Sequence, residues 1–131
     1  MHSMTQSFIQ ALHHLEEHND AGRMADLFAD DAQVSNPMVK YEGQGRQAAL
    51  TFWQRYRSAF QTITSEFRTV LEGDGVAMLE WVSHGRTAAG QVRYGGVSVI
   101  EHKADRLTAF RSYFDPPVLH SRATARAAEE R

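Results

Sequence analysis

Apolar residues recur at three- and four-residue intervals from Ser3 to His18, where Phe8, Ile9, Leu12 and Leu15 mark one side of an amphipathic helix. Ser3 with Gln6 fits a capping box at its start, and His13, His14, Glu16, Glu17 and His18 are expected on the solvated side. Asn19-Asp20-Ala21-Gly22 breaks the pattern, with Asp20 placed to cap a second helix. That helix is short, carries Met24, Leu27 and Phe28, and ends near Ala29-Asp30-Asp31. A short strand from Ala32 to Asn36 is stopped by Pro37. A loop through Tyr41 to Gly45 leads to a third helix, about Arg46 to Phe60, whose Ala49, Phe52, Trp53, Tyr56 and Phe60 make a wide aromatic face.

After Phe60 the period changes to two. Ile63, Ser65, Phe67, Thr69 and Leu71 alternate with Thr64, Glu66, Arg68, Val70 and Glu72. Glu72-Gly73-Asp74-Gly75 signals a hairpin into a strand from Val76 to Thr87. Ala88-Ala89-Gly90 and Lys103-Ala104-Asp105 make two more turns, giving strands Gln91 to His102 and Leu107 to Asp115, ended by Pro116-Pro117. Short turns force antiparallel pairing of these neighbours. The expected class is α+β: a single cone-shaped domain with a curved antiparallel sheet wrapped by three N-terminal helices. Residues 1–117 form the domain and residues 118–131 an Ala-, Arg- and Glu-rich tail.

A length of 131 residues fits one domain. Fourteen Lys and Arg against sixteen Asp and Glu leave a net charge of −2, which argues against nucleic acid as a partner. Seven His raise that charge in mild acid. The absence of Cys excludes disulfides, thiolate metal sites and thiol nucleophiles. No apolar run reaches the ~18 residues of a membrane-spanning helix, and the N-terminus has no secretory pattern. Membrane is therefore not an expected partner, cytoplasm is the default compartment, and Met4 is an alternative natural start.

Three segments together carry a family resemblance. They are Leu27-Phe28-Ala29-Asp30-Asp31-Ala32-Gln33-Val34-Ser35-Asn36-Pro37, Gly45-Arg46-Gln47-Ala48-Ala49 running into Phe52-Trp53, and Phe110-Arg111-Ser112-Tyr113-Phe114-Asp115. In order and separation they resemble the nuclear transport factor 2-like superfamily, the conical fold of ketosteroid isomerases, SnoaL-like polyketide cyclases and limonene-epoxide hydrolases. The resemblance runs from about Phe8 to Asp115 and implies a fold more than a function. By similarity the isomerase base falls on Asn36, its Tyr on Leu12 and its protonated Asp near Val97, so all three roles are missing. The epoxide-hydrolase positions fall on Ser83, Trp81, Ser112, Val34 and Asn36, and only the Asn is kept. No catalytic residue is assigned on either pattern.

Alternation and helical spacing nominate Asn36, Trp53, Tyr56, Trp81, Ser83, Phe110 and Ser112 as the lining of one ligand cavity. This is the composition of a pocket, apolar with a few fixed polar groups. The competing reading is that the same rings fill a core and that Asn36 holds the turn before Pro37. Ser83 and Ser112 have no base partner visible in sequence. Glu80, His84 and Arg86 lie on the opposite face of their strand; were that face inward, Glu80 and His84 would be an acid–base pair about 13 Å apart. His14 and His18, four residues apart, lack the accompanying motif of a metal site, and no metal or other cofactor is expected. The expected partners are a small apolar or aromatic molecule and a second copy of the chain, docked through Met78, Val82, Arg111 and Tyr113. Two function classes remain open: a cavity enzyme performing isomerisation, cyclisation or water addition, and a non-catalytic dimeric ligand-binding or interaction module.

Overall fold

The long amphipathic helix, the aromatic helix and the alternating C-terminal strands assemble as two layers in a computed structural model that describes residues 1–39 and 43–114. The elements are α1 (Ser3–His18), α2 (Gly22–Ala25), β1 (Phe28–Ser35), α3 (Gly45–Ser58), β2 (Thr62–Gly73), β3 (Val76–Thr87), β4 (Gly90–Lys103) and β5 (Arg106–Phe114). The sheet order is β1-β5-β4-β3-β2. The last four strands form the expected antiparallel meander. β1 instead joins the edge parallel to β5. Tight turns dictate antiparallel pairing only for consecutive strands, and α3 and three further strands separate β1 from its partner.

Four local expectations change. His2, not Ser3, caps α1: its Nδ1 accepts from the Met4 amide. α2 ends at Ala25, and Phe28 already belongs to a strand, because the Leu107 amide donates to the Leu27 carbonyl and draws this segment onto β5. α3 stops at Ser58. In β2 a bulge lies between Phe67, opposite Trp81, and Thr69, opposite Glu80. The extra residue reverses the alternation beyond it. Val70 consequently packs against the core and Leu71 is 64% exposed, whereas unbroken alternation from the buried Ile63 and Ser65 would place them the other way round.

The core lies between α1, α3 and the concave sheet face, around Phe8, Leu15, Met24, Leu79, Ile100 and Leu107. Gly45 starts α3 with φ of 85°, where a Cβ would lie 2.6 Å from the Asp30 carbonyl oxygen, so a side chain would push α3 away from β1. The expected domain end at 117, the tail from 118 and the strand stop at Asp115-Pro116-Pro117 lie outside the described residues.

Candidate functional site

Alternation along β3 turns Ala77, Leu79, Trp81 and Ser83 to the concave face and leaves Met78, Glu80 and His84 exposed on the convex face. Glu80 Oε1 accepts a hydrogen bond from Thr69 Oγ1, and neither Glu80 nor His84 lines the interior. The cross-strand register then brings Ser65 of β2 opposite Ser83, and Ser112 of β5 opposite Ser98 of β4. From the helical layer, Phe8 and Leu12 of α1 and Phe52, Trp53 and Tyr56 of α3 face these strands.

An inner cavity of about 60 Å³ remains between the layers. All seven sequence-nominated residues, Asn36, Trp53, Tyr56, Trp81, Ser83, Phe110 and Ser112, lie in its wall. On the same measure a single water needs about 10–15 Å³, so the space is narrow. Packed rings account for that: Trp53 and Phe110 centroids are 4.8 Å apart, Phe8 and Phe110 5.6 Å, and Trp81 and Tyr94 5.3 Å. The same aromatics thus pack against one another and border the remaining space. Asn36, Phe52, Tyr56, Tyr94 and Phe114 also line an adjoining outer recess of about 170 Å³ with Met38, Val39, Arg55, Ala59 and Phe60.

The polar groups divide into two sets. Asn36 Oδ1 accepts from the amides of Met38 and Val39, both at 2.8 Å, which is the turn-holding role. Trp81 Nε1 donates to Ser98 Oγ at 2.9 Å. Trp53 Nε1 is buried without an acceptor among the described residues. At the other end, Glu16 is only 6% exposed. Its Oε2 accepts from Tyr56 Oη at 2.8 Å and Ser65 Oγ at 2.6 Å, and its Oε1 accepts from the Ser65 amide at 3.0 Å. Ser65 Oγ lies 2.6 Å from Ser83 Oγ. Burial, and secondarily the Glu16 charge, hold the Tyr56 phenol well above its usual range. The same two causes, in the same order, raise Tyr94.

Glu16 is the residue that sequence reasoning missed; it was assigned to the solvated face of α1. The signal was present, because Phe8, Leu12 and Glu16 are spaced by four and form one row on the helix. No Asp, Glu, His, Lys or Arg is among the described residues lining the inner cavity, so Glu16 acts on it through Tyr56, Ser65 and Ser83. The His14 and His18 rings lie 4.7 Å apart and His14 Nε2 lies 3.3 Å from Asp20, but no group of three potential metal ligands occurs among the described residues.

The model of a SnoaL-like domain matches residues 8–125. No curated protein matches the sequence. Similar solved structures include a nuclear transport factor 2-like protein from Anabaena variabilis (16% identity, TM-score 0.77, covering 86% of this chain and 87% of that one). A hypothetical protein of ketosteroid isomerase-like fold from Catenulispora acidiphila, in complex with trimethylamine, has 11% identity and a TM-score of 0.78, covering 89% and 92%. An LEH-like epoxide hydrolase from M. tuberculosis has 15% identity and a TM-score of 0.70, covering 92% and 91%. These likenesses establish the shared fold, and with the family match over most of its length, this chain belongs to the SnoaL-like family of nuclear transport factor 2-like α+β proteins.

Proposed function

We propose that this protein binds a small, flat, largely apolar molecule, inserted edge-on into the inner cavity and extending into the outer recess. The observation that carries this reading is the convergence of an aromatic wall on a polar hydroxyl floor inside one cavity, with Asn36, Trp53, Tyr56, Trp81, Ser83, Phe110 and Ser112 all contributing. The buried, unpartnered Trp53 Nε1–H supports it, because such a donor seeks an acceptor that the described chain does not supply. Small-molecule complexes and epoxide hydrolysis on the same fold, as in the trimethylamine complex and the LEH-like enzyme, are in keeping with a cavity that admits a ligand. Chemistry at this site would be isomerisation, cyclisation or water addition, with Glu16 as the available base reached through hydroxyls.

A non-catalytic ligand-binding module is the second reading, favoured by the absence of any Asp, Glu, His, Lys or Arg among the described residues lining the inner cavity. Both readings include a homodimer formed through the convex face around Met78, Val82, Arg111 and Tyr113. Native mass spectrometry of the protein purified from its host, followed by denaturation and small-molecule analysis, tests the proposal. A stoichiometric aromatic or alicyclic molecule, displaced in Trp81→Ala, is the expected result. Recovery of that molecule chemically altered after incubation selects the enzyme, and recovery unchanged selects the module. If a panel of flat apolar compounds leaves the melting temperature unmoved and nothing copurifies, the ligand-binding proposal fails.

A further inference from the structure

Glu16 is the only charged side chain buried among the described residues, and no Lys, Arg or His among them lies within ion-pair distance of its carboxylate. The nearest cationic contact it makes is through its backbone: Arg57 Nε donates to the Glu16 carbonyl at 3.3 Å. On the far side of Ser65, His13 Nε2 meets the Ser65 carbonyl at 3.2 Å. Its charge is met instead by three donated hydrogen bonds, from Tyr56, Ser65 Oγ and the Ser65 amide.

That arrangement fixes the direction of the three hydroxyls nearest to it, those of Tyr56, Ser65 and Ser83. A carboxylate only accepts. Tyr56 and Ser65 each have one hydroxyl proton, and each spends it on Glu16 Oε2. Ser65 Oγ then has only lone pairs to offer Ser83, so in the 2.6 Å Ser83–Ser65 contact Ser83 is the donor. Ser83, 1% exposed, spends its proton there too. Tyr56, Ser65 and Ser83 all line the cavity, and all three hydroxyl protons are committed to partners other than a ligand. This patch of the floor therefore presents acceptors alone, polarised by a buried negative charge.

We infer that Glu16 makes the patch of cavity floor formed by Tyr56, Ser65 and Ser83 selective for a ligand that inserts an O–H or N–H donor, and that a carbonyl or ether edge is rejected at that patch. This specifies the ligand class of the proposed binding site and rests on that reading. It also identifies Glu16 as a positioning residue, acting on the ligand through hydroxyls that it orients.

Glu16→Gln tests the inference with almost no change of shape. With the amide oxygen accepting from the Ser65 amide, the introduced NH2 donates to Tyr56 Oη and Ser65 Oγ. Ser65 then donates to Ser83, and the Tyr56 and Ser83 protons turn into the cavity. Indole and benzofuran are suitable calorimetric probes, since they share an outline and differ in an N–H donor against a ring oxygen. In the wild type indole is expected to bind about tenfold more tightly. That ratio should fall to one or below in Glu16→Gln, and in Ser83→Ala if the first variant does not fold. A wild-type ratio within twofold of one, or a ratio unchanged in a folded variant, overturns the inference.

A ligand-free measurement separates this from the binding proposal itself. The Ser65 hydroxyl proton should give a slowly exchanging, downfield proton resonance that moves upfield in Glu16→Gln. If neither probe binds but this signature is present, the binding proposal fails while the orientation of the hydroxyls stands. A Ser65 hydroxyl that exchanges freely and ignores the substitution overturns the orientation.

Discussion

At the residue scale, the two buried phenols tie stability to alkaline pH. Tyr56 and Tyr94 are both raised in the fold, first by burial and then by Glu16, while an unfolded chain ionises its tyrosines near ~10. The unfolded state therefore releases these protons first as pH rises. Their contribution is complete below about pH 10 and is lost progressively above it. Circular dichroism and tyrosinate absorbance followed together should show part of the absorbance rise coinciding with loss of structure. Smooth ionisation of all four tyrosines before any unfolding would contradict the burial described. Asn36 carries a different lesson. Its carbonyl oxygen serves the Met38 and Val39 amides, so its contribution to the cavity is limited to the amide nitrogen.

At the element scale, the close approach of β4 to its neighbours gives the clearest mutational test. Gly96 lies opposite Trp81 on one side and Phe114 on the other. A Cβ there would sit 2.5 Å from the Tyr113 carbonyl oxygen and 2.7 Å from Trp81 Cζ2. Gly96→Ala is expected to cost about 1–3 kcal/mol in chemical denaturation and to displace the indole that walls the cavity. Tryptophan fluorescence reports the second effect, and an unchanged spectrum with unchanged stability would refute it. The elements most legible in the sequence were those with an uninterrupted period: α1 and β3 were expected with their observed ends, and the inward set Trp81 and Ser83 followed from simple alternation. Legibility failed where a tertiary partner overrode a local pattern. Phe28 reads as the end of a helical stripe until β5 claims it. Unbroken alternation from the buried Ile63 and Ser65 would carry Thr69 and Leu71 inward, but the bulge adds a residue, which no property of Arg68 announces. Glu16 was misplaced because its charge suggested water, while its position in a row with Phe8 and Leu12 indicated the interior.

At the scale of the whole molecule, the convex sheet face leaves Met78 and Tyr113 at 49% and 57% exposed, beside the Arg111–Glu101 pair at 2.6 Å. Apolar and aromatic groups with an Arg are the composition of a subunit contact. Sedimentation at tens of micromolar is expected to give a dimer, and Met78→Glu to give a monomer with an intact fold. A wild-type monomer at that concentration would refute the assembly, and a dimer indifferent to Met78→Glu would refute the face.

The parallel placement of β1 beside β5 also bears on the order in which a nascent chain gains structure. Among the described residues β1 has no sheet neighbour other than β5, and α3 packs on β1. The first strand thus waits for the last described strand to be synthesised before it can join the sheet. A ribosome-bound chain ending before residue 106 would hold a three-stranded meander, with α1 able to dock on β2, and a first strand that lacks its sheet partner. Such a chain is a natural client for chaperones, and long-range pairing of this kind folds slowly compared with local hairpins.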